Sequence, residues 1–211
     1  MKILIINNIF AGGIFLNFKD SKTKVNLMRA FAGESQARNR YDMAAETAKN
    51  KNYNILERLF KYTASQEQAH AKVFYDALKS LNGETIAIDN GTYPIDAYDN
   101  IAQLLRTSAH NEYEEHDVVY KEFADIAEQE GFQDIATIFR NIASIEKVHG
   151  DRFNRYADEF ENGTLFKKQE SVKWICTNCG FIYEGKEAPQ VCPVCKKPQG
   201  YYLLFDNSLF E

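Results

Sequence analysis

The sequence predicts an all-α four-helix bundle followed by a small C-terminal four-cysteine metal-binding domain. Three observations indicate this fold: apolar residues at helical spacing from about residue 21 to residue 162, charged residues within each apolar stripe, and four cysteines in one short C-terminal stretch. The 211 residues suffice for one ordinary domain and a small second one. We therefore expect an N-terminal extension at 1–20, the bundle at 21–163 and the metal domain at 165–211.

The charge pattern argues against a nucleic-acid partner. The net charge is -5, and acidic and basic residues are mixed along the whole chain. Binding to a phosphate backbone requires a clustered basic face, and the sequence contains no such cluster. No nucleic acid is expected as a ligand.

The status of the N-terminal extension stays open. Its apolar run at 3–16 is broken by asparagines and glycines and is too short to cross a bilayer, so no membrane association is expected. A secretion signal would explain Lys2 followed by apolar residues, but no small-x-small cleavage site follows. An upstream start site, or an extra strand or arm packed on the bundle, is the favoured interpretation.

The first two helices are predicted at about 23–48 and 54–81. Ser21 or Thr23 is the expected N-cap of the first helix. The second is expected to begin at Asn54, where Glu57 three residues later would complete a capping-box-like pair. It should end at the Leu-Asn-Gly sequence before residue 84.

The last two helices are predicted at about 97–130 and 134–161, each ending before a glycine. A longer connection at 84–96 precedes them and contains an Asn-Gly pair and a proline. It must cross the bundle or run along it.

Charged residues lie within the inward-facing stripes of all four helices. The stripes follow alternating steps of three and four residues, which is the spacing of buried positions in a bundle. The expected inward residues are Leu27, Phe31, Glu34, Arg38 and Tyr41; Phe60, Thr63, Glu67, His70 and Phe74; Ile101, Leu105, Ser108, Glu112, Glu115 and Val119; and Ile135, Phe139, Ile142, Glu146, His149, Phe153 and Tyr156. Burying an ionised carboxylate alone is costly, so five of them at one level of a bundle require cations, which two divalent metal ions would supply.

An internal repeat is the sharpest signal in the sequence. Glu34 is followed after 33 residues by a Glu-x-x-His sequence that starts at Glu67, and Glu112 after 34 residues by one that starts at Glu146. Residues three apart share a helix face, so each sequence can present a carboxylate and an imidazole to one metal pair. Single glutamates from two helices with Glu-x-x-His from two others are the ligands of ferritin-like di-iron and di-manganese proteins. One Glu-x-x-His is common in solvated helices, but two matched copies favour Fe or Mn binding.

Further polar residues of the third helix are assigned by their angular position. Glu115 lies three residues after Glu112 and on the same helix face, so it is the fifth inward carboxylate. Glu114 should face solvent. His110 and His116 leave the stripe and are interpreted as surface residues.

Tyr41 and Tyr120 are candidates for a role beside the metals. Both are expected to point inward, so their hydroxyl groups can donate hydrogen bonds to metal-bound carboxylates. The alternative is that they only fill the core, as buried tyrosines often do.

Two Cys-x-x-Cys pairs, separated by 12 residues, form a strong tetrahedral metal signature. They contain all four cysteines: Cys176, Cys179, Cys192 and Cys195. This is metal-ligand usage and not a disulfide framework, so it favours a reducing compartment and a cytoplasmic location. Spacing alone permits either zinc, as in a zinc ribbon, or a single iron. A segment of this size would be hard to stabilise without a bound metal.

Together these motifs resemble the rubrerythrin family, from about residue 21 to the C-terminus. The segment 30–41, Ala-Phe-Ala-Gly-Glu-Ser-Gln-Ala-Arg-Asn-Arg-Tyr, is similar to the family's first-helix signature. The resemblance implies a ferritin-like bundle with two iron ions and a rubredoxin-like domain with one iron ion in place of zinc. The implied ligands are Glu34, Glu67, His70, Glu112, Glu115, Glu146 and His149 for the di-iron site, and Cys176, Cys179, Cys192 and Cys195 for the rubredoxin-type iron.

The resemblance also implies an enzyme, namely a peroxidase that reduces hydrogen peroxide to water in defence against oxidative stress. One iron would be bound by Glu115 in the oxidised state and by His70 in the reduced state, with Tyr41 and Tyr120 nearby. Family members commonly form a head-to-tail homodimer, in which the thiolate-bound iron of one subunit serves the di-iron site of the other. The sequence has no Gly-x-Gly-x-x-Gly or other nucleotide fingerprint, so electrons from NAD(P)H must come through a separate reductase or rubredoxin.

Two other functions fit part of the sequence. Iron storage with ferroxidase activity would use the same helices, but it gives the cysteine module no obvious task. A zinc-ribbon binding protein with structural metals in its bundle would explain the cysteines, but it does not explain the repeated carboxylates.

Overall fold

The computed structural model describes residues 16–208. Within that range the chain forms a bundle of four long helical segments and a three-stranded antiparallel sheet, which confirms the predicted fold class. Most of the extension expected at 1–20, with its interpretation as a signal or a packed arm, lies outside the described residues. Among the described helices, none is long and apolar enough to cross a membrane.

The predicted helices are all present, with one interruption. They are α1 Lys22–Asn50, α2 Asn54–Ala77, α3 Ile101–Glu114, α4 Tyr120–Gln129 and α5 Gln133–Glu161. A π-helical turn, Glu115–Val119, joins α3 to α4, so the third predicted helix is continuous in direction but not in hydrogen bonding. It begins at Ile101 and not at 97, because the side chain of Asn100 caps it by accepting a hydrogen bond from the backbone N–H of Gln103.

Ser21 is the N-cap of α1, as one of the two predictions stated. Its hydroxyl oxygen accepts a hydrogen bond of 3.0 Å from the backbone N–H of Lys24. Thr23 instead donates its backbone N–H and its hydroxyl to the Glu130 carboxylate, at 2.8 and 2.6 Å. Glu130 follows the end of α4, so this contact fastens two helix ends together.

The predicted capping pair at the start of α2 is wrong. The N-cap is Tyr53, and Asn54 already lies inside the helix, where its amide donates to the Glu57 carboxylate at 2.9 Å. The helix begins at Asn54, as predicted, and the Tyr53 ring packs against Phe160 and Phe166 directly before it. At its other end α2 stops at Ala77, and a 3-10 turn continues to the predicted end.

The inward faces of α2 and α5 contain every residue that was predicted for them. On α1 the prediction is wrong at Arg38, whose side chain is 44% exposed. The buried face of α1 is turned toward Ala30, Ala37 and Ala44, and Phe31 at its edge is only partly buried. Alanine is often buried but gives a weak apolar signal, so the stripe drawn through larger residues was displaced.

The connection between α2 and α3 runs along α1. Tyr93 donates its hydroxyl to the backbone carbonyl of Arg29 at 3.1 Å. Asp96 accepts hydrogen bonds from the Arg40 guanidinium on α1 and the Asn111 amide on α3, both at 2.7 Å. The connection therefore ties two helices together on one side of the bundle.

The C-terminal sheet is small and has its own core. Strand β1 Lys167–Cys176 lies between β2 Ile182–Glu187 and β3 Tyr202–Leu204, and both pairings are antiparallel. Trp174 is fully buried and donates its indole N–H to the Gly185 carbonyl at 2.9 Å. The strands thus place the cysteines around a compact aromatic centre.

The sheet module is seated on the turn between α1 and α2. Gly200 approaches the turn so closely that a Cβ added there would lie 1.8 Å from the Asn52 carbonyl oxygen. Arg58 on α2 also donates to the Thr177 carbonyl at 3.1 Å, next to the first cysteine. Only glycine fits at this contact, because the opposing atom is backbone and cannot rotate away.

Replacing Gly200 with alanine should therefore destabilise the protein by about 1–3 kcal/mol, the range for overpacking a close contact. We expect a lower melting temperature in thermal unfolding followed by circular dichroism. Gly33→Ala is the matched control, because its added Cβ would meet Tyr93 at an ordinary 3.7 Å. Equal melting temperatures for the two variants would contradict the seating contact.

Candidate metal centres

Four carboxylates and two imidazoles meet inside the bundle. They are Glu34 from α1, Glu67 and His70 from α2, Glu112 from α3, and Glu146 and His149 from α5, and all are buried. They form two overlapping groups whose ligand atoms lie within 4.8 Å of one another. Glu67 and Glu146 belong to both groups, as bridging ligands of a metal pair would. The structure therefore brings together six of the seven predicted bundle ligands.

The two groups are related by an approximate twofold arrangement. The His70 Nδ1 atom lies 3.1 Å from Glu67 Oε2 and 2.9 Å from Glu146 Oε1. The His149 Nδ1 atom lies 3.1 Å from Glu67 Oε1 and 2.8 Å from Glu146 Oε2. The two rings are nearly parallel, with centroids 5.7 Å apart. Each bridging carboxylate thus directs one oxygen toward each imidazole.

The buried donor atoms fit a pair of metal ions. Several of them have no hydrogen-bond partner within the described part of the chain: Glu34 Oε2, Glu67 Oε1, Glu112 Oε2, both carboxylate oxygens of Glu146, and His149 Nδ1. Leaving such atoms unpaired costs about 1–3 kcal/mol each, and more for charged groups. Carboxylate oxygens with imidazole nitrogen suit iron or manganese. The site is therefore built for cations.

The pKa values of these side chains in the absence of metal also indicate that the site favours positive charge. Burial raises the pKa of Glu34 well above its usual range and that of Glu112 to about 8. Burial also opposes ionisation of Glu67, but the neighbouring His149 and His70 imidazoles lower its pKa to about 2. Although burial disfavours the charged imidazole, the surrounding carboxylates raise the pKa of His149 to about 12 and that of His70 as well. Protons on the imidazoles thus stand where metal ions would bind, and ligation must displace them.

Both candidate tyrosines reach the ligand carboxylates. Tyr41 donates its hydroxyl to Glu112 Oε1, and Tyr120 donates its hydroxyl to Glu34 Oε1. Each tyrosine thus serves a ligand on another helix of the bundle. Both are almost fully buried, and burial together with nearby carboxylates raises their pKa values, so both phenols stay protonated.

Between the first glutamate and the Glu-x-x-His of each half, the two halves differ in length at the π-helical turn. Tyr41 and Glu67 are 26 residues apart, as are Tyr120 and Glu146. However, Tyr120 follows Glu112 by eight residues, whereas Tyr41 follows its own upstream glutamate by seven. The extra residue of the second half therefore lies in the π-turn, where such an insertion is accommodated and often serves function.

Glu115 is the first residue of this turn. It is partly buried and lies outside the two ligand groups defined above, so its position differs from that of the other predicted ligands. Burial, and then the charges of Glu34 and Glu112, raise its pKa well above the usual range. Glu115 is thus close enough to the buried carboxylates for their charges to raise its pKa.

The remaining polar residues of this helix follow the predictions with one exception. Glu114 and His110 are exposed, as expected. His116 was predicted to lie on the surface, but it is partly buried, and its Nδ1 atom lies 2.8 Å from the Ala143 carbonyl oxygen. The π-turn causes this difference, because it rotates the residues after Glu114 relative to a regular helix.

Gln66 and Arg152 were not singled out from the sequence. The His149 Nε2 atom lies 3.1 Å from Gln66 Oε1, and the Arg152 guanidinium donates to the same oxygen at 3.2 Å. Arg152 also lies over the Tyr62 ring, 5.2 Å from its centroid. In the sequence, the only indication of a role for Gln66 was its position directly before an expected ligand, Glu67.

The four cysteines form a second centre. Their sulfur atoms are mutually close, with 3.6 Å between Cys176 and Cys195 and 3.7 Å between Cys179 and Cys192. Although burial opposes it, the backbone N–H of Cys195 and the nearby Tyr202 hydroxyl lower the pKa of Cys192 to about 6. Thiolate is the form that binds metal, so the four sulfurs fit one tetrahedral ion.

Comparisons with known proteins agree with both centres. The family model described as rubrerythrin matches residues 25–171, and that of the rubrerythrin rubredoxin-like domain matches residues 174–202. A rubrerythrin of Clostridium perfringens is 44% identical over 91% of this chain and 98% of its own length. A structure of nigerythrin in a mixed-valence state is 25% identical, with a TM-score of 0.59, and the match covers 92% of this chain and 94% of that one. A Desulfovibrio desulfuricans bacterioferritin shares the fold, at 22% identity and a TM-score of 0.60 over 68% of this chain and 82% of its own.

Proposed function

Because the chain belongs to the rubrerythrin family of di-iron proteins with a rubredoxin-like domain, we propose that it is a peroxidase that reduces hydrogen peroxide to water. The observation that supports the proposal is the pair of carboxylates, Glu67 and Glu146, that belong to both buried groups of potential metal ligands. Two adjacent metal positions can deliver two electrons to one small substrate. A four-sulfur centre on the same chain can then restore those electrons one at a time.

When bound, the two ferrous ions supply the two electrons that cleave the O–O bond, and the thiolate-bound iron supplies single electrons. Reduction of one hydrogen peroxide to two waters also consumes two protons. Tyr41 and Tyr120 hold protons at their hydroxyl groups, next to the ligand carboxylates. We assign them the delivery of protons, or the hydrogen bonds through which protons pass.

The proposed exchange of ligands involves His70 and Glu115. In line with the family resemblance, Glu115 would hold one iron in the oxidised state and His70 would hold it in the reduced state. Glu115 begins the π-turn and is partly buried, so it can move more readily than the ligands on regular helices. The other ligands stay in place on α1, α2, α3 and α5.

Electrons enter through the cysteine module. Cys179 is exposed, and the neighbouring Val194 is 61% exposed, so an external reductase or rubredoxin can approach the sulfur cluster. We further propose a homodimer, in which the module of one subunit faces the bundle of the other, and a cytoplasmic location. Four free cysteines confined to one metal site are typical of a reducing compartment.

A direct test is a peroxidase assay on the iron-loaded full-length protein with an artificial NAD(P)H-linked reductase. We expect peroxide and NAD(P)H to be consumed in equal amounts. Elemental analysis should find two iron ions in the bundle for each iron at the cysteines. Iron uptake into a cage-sized assembly without peroxide turnover, or a colourless zinc protein, would overturn the proposal.

Replacing Tyr120 with phenylalanine should lower peroxidase kcat about 10-fold, because one of the two buried proton donors is lost while the other remains. Iron content, measured in the same samples, should not change. Tyr75→Phe is the matched control on α2, since Tyr75 is 56% exposed. An unchanged kcat in the Tyr120 variant would exclude a role for its hydroxyl.

A further inference from the structure

The two imidazoles of the bundle have different surroundings on the side away from the ligands. The His149 Nε2 atom lies 3.1 Å from Gln66 Oε1, which also receives a hydrogen bond from Arg152. Gln66 is thus held from two sides, and His149 is fully buried. A hydrogen bond to the second nitrogen of a ligand imidazole fixes the ring orientation and leaves the first nitrogen free to bind metal.

The internal repeat identifies the corresponding positions around His70. Gln66 directly precedes one bridging glutamate, and Ile145 directly precedes the other. Arg152 follows His149 by three residues, and Val73 follows His70 by three. The amide and the guanidinium at the positions around His149 are therefore replaced by two apolar side chains at the corresponding positions around His70.

The corresponding apolar residues are exposed. Ile145 is 37% and Val73 is 41% exposed, and neither side chain can accept a hydrogen bond. No protein partner contacts the second ring nitrogen of His70 within residues 16–208. His70 is itself 7% exposed, compared with 0% for His149.

We propose that Gln66, held by Arg152, is a positioning residue that keeps His149 on its metal in every state of the site, and that Ile145 and Val73 leave His70 free to depart. The exchange with Glu115 therefore occurs on the His70 side because that imidazole has no anchor. The exchange at His70 rests on the proposed function. The difference in anchoring is independent of that function, because it follows from the contacts of the His149 and His70 rings.

The test uses the full-length protein loaded with Zn²⁺, a redox-inert probe, and imidazole N–H signals in nitrogen-15 NMR. Four histidines make the assignment practical. We expect a His149 Nε2–H that exchanges slowly with water and a His70 N–H that exchanges fast. Gln66→Leu should abolish the slow His149 signal. It should also weaken the affinity of the His149 metal position for Zn²⁺ by about 10–100-fold, the usual effect of losing a hydrogen-bond partner of a ligand imidazole. Gln66→Glu, which keeps an acceptor oxygen, should restore both.

Gln68→Leu is the matched control, because Gln68 is exposed on the same helix and should leave both signals unchanged. The converse variant combines Ile145→Gln with Val73→Arg, at two exposed positions where folding is not at risk. It should slow exchange at His70. Equal protection of the two imidazoles in the wild-type protein, or a slow His149 signal that survives Gln66→Leu, would overturn the proposal. Peroxide is absent from the experiment, so its outcome is independent of the proposed activity.

Discussion

Replacing Cys192 with serine is expected to abolish multiple turnover with peroxide while leaving one round of peroxide reduction by pre-reduced protein. Cys192 is buried and its sulfur belongs to the four-cysteine group, so we expect it to bind the iron as a thiolate. A serine hydroxyl does not replace it as a soft donor for iron. The bundle ligands come from other elements and stay intact, so the di-iron site can react once but cannot be reduced again.

The measurement combines a single-turnover experiment, followed by rapid mixing, with a steady-state assay. Because a buried substitution could also unfold the module, the same pair of assays is applied to Cys179→Ser, at an exposed ligand position. Val194→Ser is the control, since Val194 is 61% exposed and lies between two ligands without being one. Full steady-state turnover in both cysteine variants would mean that electrons reach the bundle by another route.

Exchanging Glu146 for glutamine is expected to lower both the iron content of the loaded protein and the stability of the metal-free protein. An amide would not bridge two cations, so iron in the bundle should be lost and kcat should fall at least about 100-fold, which corresponds to about 3 kcal/mol. Without metal, the Glu146 oxygens lie 2.9 Å from His70 Nδ1 and 2.8 Å from His149 Nδ1, so the substitution removes a partner of two buried imidazoles. The metal-free variant should therefore be less stable by about 3–5 kcal/mol, the cost of removing one partner of a buried ion pair.

Chemical denaturation of the metal-free proteins measures the second effect, and iron analysis with the peroxidase assay measures the first. Glu114→Gln is the control, because Glu114 is exposed on the neighbouring helix and should change neither quantity. If the Glu146 variant kept its iron, the residue would not be a bridging ligand, and if the metal-free variant were as stable as the wild type, the residue would not hold the two imidazoles.

Six of the seven expected bundle ligands could be located from the sequence, because each of the six lies at an interior position of a regular helix. Burial periodicity and the Glu-x-x-His repeat therefore report the same residues, and the structure gathers Glu34, Glu67, Glu112 and Glu146 with both imidazoles. The cysteine cluster could be predicted for a related reason, because two close pairs leave few ways to arrange four sulfurs. The catalytic roles stay predictions.

Predictions failed where local patterns compete with packing. Arg38 was placed inward because alanines on the true inner face give little apolar signal. The π-turn was missed because periodicity assumes a regular helix, although the spacing of eight against seven residues before the tyrosines already contained it. Gln66 and Arg152 could not be found at all, because their contact joins helices that are far apart in sequence.

The close contact between Gly200 and Asn52 limits how the chain can vary in length. Surface turns usually tolerate insertions, because nothing packs against them. Here the three residues between α1 and α2 act as a spacer, with the sulfur module resting on one side and ligand-bearing helices on the other. Lengthening this turn would shift one redox centre relative to the other, whereas the exposed stretch around residue 88 could grow without that effect.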